Sequence, residues 1–441
     1  MIIALSFVSL MILIGLLLRS KVKFLKKLLI PTSVIAGIIG FIILNINSFN
    51  IESNTLSNIV NVLFTLSFIS IGLTSTQKNK DTKKEITKGS IGMGTIWCIL
   101  YALTPFLSCL LLLFLNKNDA IYALLVQFGF DQGPGQAASF GALFEQYGYN
   151  DSIMIATTFA AIGFIVAFLG GSIIIRKGIK SGLVDKKIIN EDILNGYYKK
   201  DSKKDTIGYE TTYSGNLETL TFNFSVMGIC YLIALFISKI FSYLPSFLGT
   251  TMSSMMFMNG LFAAYIVKFV MKKLNIDYLI DNKLQSKITG LLTDYVVATS
   301  FMSIRISIIS KYLLLILFVS IITAIITYIT CLYFGRRIGG KNDFERTLGI
   351  FGTCTGTVSS GIALVRIVDP NLSSTTPTEL GMMNLVMMLS TPVYILILAC
   401  VSKAINIYLL LIILFVLIII YILLFKVFKC FNKPTYNWEE K

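Results

Sequence analysis

The chain has 441 residues, 55% of them hydrophobic and only 14% charged, with a formal net charge of +15 and no histidine. Soluble domains carry about 25% charged residues, so this composition excludes an ordinary soluble globule. Repeated apolar runs of about 20 residues point to a membrane protein built of helices rather than a barrel.

In chain order, the first half predicts spans at 2–18, 28–47, 57–76, 90–115 and 151–175. The first segment lacks a basic leader and is followed by its positive cluster, so it reads as a retained helix and not a signal peptide. Between the fourth and fifth spans, 119–148 has apolar arms too short to cross twice and a glycine-broken middle, which predicts a re-entrant hairpin. Residues 176–218 form the longest hydrophilic stretch and read as a cytoplasmic linker. The second half predicts spans at 220–247, 250–272, 288–306, 311–334 and 378–401, with a second hairpin at 344–370. A further apolar helix at 405–428 precedes a short tail.

The basic residues are distributed by side. One set of loops holds 32 of the 38 Lys and Arg residues, and the opposite set holds 5. Positive charge accumulates on cytoplasmic loops, so the basicity reports topology and not nucleic-acid binding. It predicts a multi-pass protein of the plasma membrane with its N-terminus outside and its C-terminus in the cytoplasm. The first hairpin then enters from outside and the second from inside.

The expected fold is an all-α polytopic membrane protein, an inverted repeat of two five-helix halves. Each half carries a broken or re-entrant hairpin between its fourth and fifth spans. The domains are a first repeat at 1–175, the linker at 176–218, a second repeat at 219–401, and an additional helix with tail at 402–441. Five is odd, so the second half starts on the opposite side of the membrane. Ser67-Phe68-Ile69-Ser70-Ile71-Gly72-Leu73 is echoed by Ser300-Phe301-Met302-Ser303-Ile304-Arg305-Ile306, each in the third span of its half.

The two broken stretches carry the candidate chemistry, because irregular backbone at membrane depth is tolerated only where protein buries it or it lines a cavity. The first reads Asp131-Gln132-Gly133-Pro134-Gly135-Gln136-Ala137-Ala138-Ser139. Gly and Pro interrupt the helix. A carboxylate at this depth is costly, so Asp131 reads as a sodium ligand or an ammonium partner, against the bland alternative of a water-exposed tip. Gln132, Gln136 and Ser139 add neutral donors and acceptors. Freed carbonyls around Gly133 and Gly135 suit a small cation, and helix N-termini suit a carboxylate.

The second break puts Thr353, Thr355, Thr357, Ser359 and Ser360 beside Gly352, Gly356 and Gly361. Such hydroxyls often only bond back to their own helix, but five in eight residues exceed that need. Arg366 offers a fork for a substrate carboxylate, or a structural pair with Asp369 or Asp131. Asp294 reads as a residue snorkelling to the headgroups. The cysteines have no CxxC spacing and read as packing residues. No Gly-Lys-Ser/Thr phosphate loop accompanies either glycine-rich stretch. No nucleophile–base pairing is evident, so an enzyme is not expected.

These residues resemble the glutamate:sodium symporter (ESS) family over roughly 20–405. The likeness is clearest from Gly133-Pro134-Gly135-Gln136-Ala137-Ala138 through Tyr147-Gly148-Tyr149, and again in Ile30-Pro31, in Phe68 to Leu73 and in Gly352-Thr353-Cys354-Thr355-Gly356. Pro134 stands where the family's carriers often have histidine, and Arg366 is a further departure. The resemblance implies an inverted-repeat carrier, a homodimer, and alternating access by a hairpin-bearing transport domain moving against a scaffold.

The combined expectation is sodium-coupled symport of L-glutamate, with sodium the coupling ion and no other cofactor. Sodium is expected on Asp131, Ser139 and Thr353. The substrate, glutamate or a similar small anion, is expected on Gln132, Gly133, Gly135, Gln136, Thr355, Gly356, Thr357, Ser359, Ser360 and Arg366. The alternative is a sodium- or proton-coupled carrier of another organic anion or amino acid.

Overall fold

The computed structural model describes residues 1–23, 25, 30–46, 51–74, 80–115, 119–184, 197, 206–244, 253, 256–303 and 312–432. Among them all regular structure is helical. The first half contains α1 (Ile2–Lys21), α2 (Thr32–Asn45), α3 (Ser53–Leu73) and α4 (Lys80–Leu115). A helical arm follows, a tight 3-10 stretch at Ala120–Leu125 running into α5 (Val126–Phe130), then its return arm α6 (Gly133–Gln146) and α7 (Ser152–Lys180). The second half contains α8 (Thr219–Phe241), α9 (Met256–Lys273), α10 (Asn282–Met302) and α11 (Leu313–Phe334). The pair α12 (Asp343–Cys354) and α13 (Val358–Val368) comes next, followed by α14 (Thr376–Met387), α15 (Thr391–Val401) and α16 (Ile407–Val427).

Eight helical segments among the described residues are long and apolar enough to cross a membrane. Eleven spans were expected. The region 28–47 keeps only the 14 residues of α2, because 26–29 and 47–50 lie outside the described residues. The regions 250–272 and 288–306 correspond to α9 and α10, which are not among the eight. The polarity of α10 is accommodated by protein. Ser70 of α3 donates to the Gln285 side-chain oxygen at 2.6 Å, Thr289 donates to Ser70 at 2.9 Å, and Gln285 donates to Asn223 of α8 at 2.8 Å. A buried polar ladder of this kind replaces the apolar surface a lipid-facing helix would need.

Both interrupted pairs are too short to span. α12 has 12 residues and α13 has 11, about 18 Å or less each at 1.5 Å per residue, against a hydrocarbon core of about 30 Å. α12 packs on α13, and α6 packs on α5 and α7. At the first break Gly133 takes φ +78° and Pro134 occupies the opening turn of α6. Glycine meets the left-handed requirement, and proline costs nothing where no helix partner for its N–H exists. At the second, Thr357 is extended (φ −154°, ψ 171°) before α13 starts.

The helices pack as two groups. α1, α2, α3, α8, α9 and α10 share two apolar clusters, one around Val8, Leu44 and Met302 and the other around Ile69, Met227 and Leu292. α4 to α7 and α11 to α16 share the large cluster that includes both interrupted pairs. The seam between the groups is closed by α10 on α13, by α3 and α9 on α14, and by Phe301 against Phe164 with ring centroids 5.3 Å apart. Of the echoing segments, Ser67–Leu73 and Ser300–Met302 end α3 and α10, which pack on each other; Ile304 to Ile306 lie outside the described residues. The expected linker at 176–218 begins later than its composition suggested, since α7 runs to Lys180; 185–196 and 198–205 lie outside the described residues.

Candidate functional site

The two breaks meet. A Cβ built on Gly133 would run into the methyl group of Thr357 and lie 3.7 Å from the Gly356 carbonyl oxygen. Four helix ends converge there. α5 and α12 finish at the breaks, presenting the negative ends of their dipoles, while α6 and α13 begin there and present positive ends.

Beside this meeting point is a cavity of about 50 Å³. At about 10–15 Å³ for one water on this measure, it accommodates a few waters or a cation. The breaks contribute Asp131, Gln132, Gln136, Thr357 and Val358 to its wall. α4 and α14 contribute Trp97, Asn384 and Met387. The other helix group closes it with Phe64 of α3 and Phe257 of α9. Those two rings and Phe68 form a triangle with centroids 5.1–5.2 Å apart. The cavity therefore lies on the seam, with polar groups on one side and an aromatic wall on the other.

Asp131 is 1% exposed, and neither of its carboxylate oxygens has a hydrogen-bond partner among the described residues. No cationic side chain lines the cavity among the described residues. Gln132 is oriented by its amide nitrogen, which donates to the Tyr394 hydroxyl and approaches the Met387 sulfur at 3.9 Å, and its oxygen is left unpaired. Asn384 donates to the Leu380 and Gly381 carbonyls at 3.2 and 3.0 Å, which fixes its amide. Thr357 shares a 2.6 Å hydrogen bond with Ser359 and approaches Ser360 at 3.5 Å.

Of the residues singled out in sequence, the structure thus brings Asp131, Gln132, Gln136 and Thr357 to one cavity, with Gly133, Gly356, Ser359 and Ser360 immediately around it. Thr353 and Thr355 are fully buried and donate back to Gly349 at 2.9 Å and Phe351 at 2.6 Å. Pro134, Gly135, Ala138 and Ser139 belong to α6, and the side chain of Ser139 is outside the described residues.

Arg366 is not at the cavity. Its guanidinium donates to Asp294 at 2.6 Å and to the Gly290 carbonyl at 2.7 Å, both on α10. Neither partner expected for it, Asp369 or Asp131, is the one it has. Asp369 instead accepts from Ser373 and Ser374 and closes the turn after α13. Asp294, expected at the headgroups, is the residue that holds this pair.

A second charged cluster also escaped sequence reading. Arg346 was counted among loop cations, yet it and Glu379 are both 0% exposed. They form a two-pronged pair at 2.6 Å for each bond. Arg346 also meets Glu85 at 3.5 Å and donates to the Gly339 carbonyl at 2.6 Å. This network ties the base of α12 to α14 and α4.

Trp97, Asn384, Met387, Phe64 and Phe257 had no sequence signal, because each sits in a continuous helix where a lone aromatic or amide resembles packing. No curated protein matches the chain. The family model for the sodium/glutamate symporter matches residues 1–368, so this multi-pass helical chain, whose two broken helix pairs meet at one cavity, belongs to the sodium/glutamate symporter family.

Proposed function

We propose that the protein is a sodium-driven symporter of L-glutamate, or a closely related amino dicarboxylate, working by alternating access. The observation that carries this reading is the meeting of both chain breaks at one cavity on the seam between two helix groups. A buried carboxylate without a partner needs a positive charge, and sodium supplies it at Asp131. The ends of α5 and α12 favour the same cation. Thr353 has committed its hydroxyl proton to Gly349 but keeps oxygen lone pairs for an ion, and the sequence offers Ser139 as a further ligand. The starts of α6 and α13, with Gly133, Gly135, Thr355 and Gly356 around them, suit substrate carboxylates. Gln132, Gln136, Thr357, Ser359 and Ser360 orient the substrate, and Asn384 is added to that set. Arg366 enters as a seam contact.

A cavity of about 50 Å³ holds an ion but not an amino acid with its solvent, so loading requires the seam to part. The group with both hairpins moves against α1–α3 and α8–α10, first toward one side of the membrane and then the other. Sodium neutralises Asp131 and favours the arrangement in which the hairpins close on substrate. The inverted repeat and the outside N-terminus belong to this same reading, supported by the loop charges and the matching element order of the two halves; a homodimer joins it on the family resemblance alone. Uptake of labelled glutamate into proteoliposomes, driven by an inward sodium gradient, tests it. Uptake that persists unchanged without sodium refutes the coupling.

One observation favours a second reading. With no cationic side chain lining the cavity, a substrate bearing one carboxylate fits the charges as well as one bearing two. Stronger competition by a neutral amino acid than by glutamate selects that alternative.

A further inference from the structure

The first arm carries a polar residue that the reading above leaves unused. Gln127 stands one helical turn before Asp131, whose backbone N–H donates to the Gln127 carbonyl at 3.1 Å. Residues four apart on a helix share a face. Gln127 is 0% exposed, and neither its amide nitrogen nor its amide oxygen has a hydrogen-bond partner among the described residues. It lies in Val126-Gln127-Phe128, inside the large apolar cluster.

Buried polar groups are almost always paired, so an unpaired cluster of them marks an absent partner. Here the unpaired oxygens are both carboxylate oxygens of Asp131, the side-chain oxygen of Gln127 and that of Gln132. The Gln132 oxygen is left free because Tyr394 and Met387 take its nitrogen. Asp131 and Gln132 line the cavity; Gln127 does not. The unpaired groups therefore follow one arm of the chain, two of them at the cavity and one a helical turn before it.

All these atoms are hard oxygens, and Asp131 and Gln132 follow the C-terminal end of α5, whose dipole favours positive charge. Together they bring a single negative charge. No group of three or more acidic, cysteine or histidine side chains exists among the described residues, which argues against a divalent or soft metal. We propose that Gln127 and Gln132, with Asp131, form a buried site for one desolvated alkali cation set behind the cavity. The occupant is the coupling sodium, so this assignment rests on the sodium-symport reading. The ion is then reached through the cavity and sealed by substrate, which sets an order: sodium first, substrate second.

The experiment is equilibrium binding of radiolabelled sodium to the purified full-length protein, without and with glutamate. Q127L raises the sodium dissociation constant by about tenfold or more, the loss of one good oxygen ligand, while Q127E retains or tightens binding. Glutamate lowers the apparent sodium dissociation constant of the parent protein. Should Q127L fail to yield folded protein, Q127N, which withdraws the same oxygen by one methylene, carries the measurement. A parent that binds sodium, weakened by D131N but not by Q127L or Q127N, overturns this inference and leaves the symport reading standing. A parent that binds no sodium overturns both.

Discussion

Arg366 on α13 and Asp294 on α10 join the two helix groups across their seam at 2.6 Å, the guanidinium also holding the Gly290 carbonyl. The side chains are 24% and 36% exposed. A pair this open contributes about 0.2–1 kcal/mol. That is enough to bias a seam that opens and closes, since a contact made in one arrangement and lost in the other shifts their balance by its own energy. Replacing either residue by alanine changes the maximal uptake rate by up to about fivefold, given that 1.4 kcal/mol is tenfold. Substrate binding stays unchanged, and the exchanged pair R366D/D294R recovers much of the effect. Initial uptake rates and substrate competition binding measure this. Loss of substrate binding in R366K would return the arginine to the substrate.

The broken segments were legible in sequence because glycine and proline inside apolar runs have few structural uses. Asp131, Gln132, Gln136 and Thr357 were found that way. Asn384, which also lines the cavity, was not, since one amide in a helix looks the same whether it packs or binds. Arg346 was misplaced for another reason. Its partner Glu379 is 33 positions away, so spacing gives no hint of a buried pair, and a basic residue after Arg336-Arg337 resembles a headgroup loop. The polar face of α10 likewise becomes intelligible only once Gln285, Thr289, Ser70 and Asn223 are seen to satisfy one another.

Asp131 predicts an inversion between stability and function. Its carboxylate is buried without a partner, and an unsatisfied buried group costs about 1–3 kcal/mol, more when charged. D131N removes that charge. In sodium-free detergent the variant should melt at a higher temperature than the parent. Sodium raises the melting temperature of the parent by mass action, and that rise should disappear in D131N along with sodium-dependent uptake. A thermal-shift titration against choline chloride as the control salt reads both effects. Equal sodium stabilisation of parent and variant would remove Asp131 from the ion site.

Gly133 couples the two hairpins sterically. Its φ of +78° costs a non-glycine residue about 1–2 kcal/mol, and any Cβ there meets the Thr357 methyl. G133A should therefore fail to close the hairpins on each other and lose most uptake. T357S deletes the obstructing methyl but keeps the hydroxyl. The double variant G133A/T357S should recover part of the lost rate, the remainder being backbone strain. Uptake no better in the double variant than in G133A would show that strain alone decides.

Arg346 and Glu379 make the opposite kind of pair from Arg366 and Asp294. Both are fully enclosed, joined by two 2.6 Å bonds, with Thr375 adding a third bond to Glu379 at 2.7 Å. A Cβ on Gly89 would collide with this carboxylate, so α4 presses directly on the pair. Removing one member leaves a bare charge, which costs about 3–5 kcal/mol, whereas replacing both by apolar residues of similar volume is often neutral. R346M and E379L alone should each lower the denaturation midpoint sharply and reduce the amount reaching the membrane. R346M/E379L together should recover most of the stability. The double variant separates anchoring from transport: if the pair only fixes the base of the second hairpin, a stable R346M/E379L protein keeps its sodium affinity. A stable double variant with weakened sodium binding would instead extend the ion site to the hairpin base, far from the oxygens at Asp131.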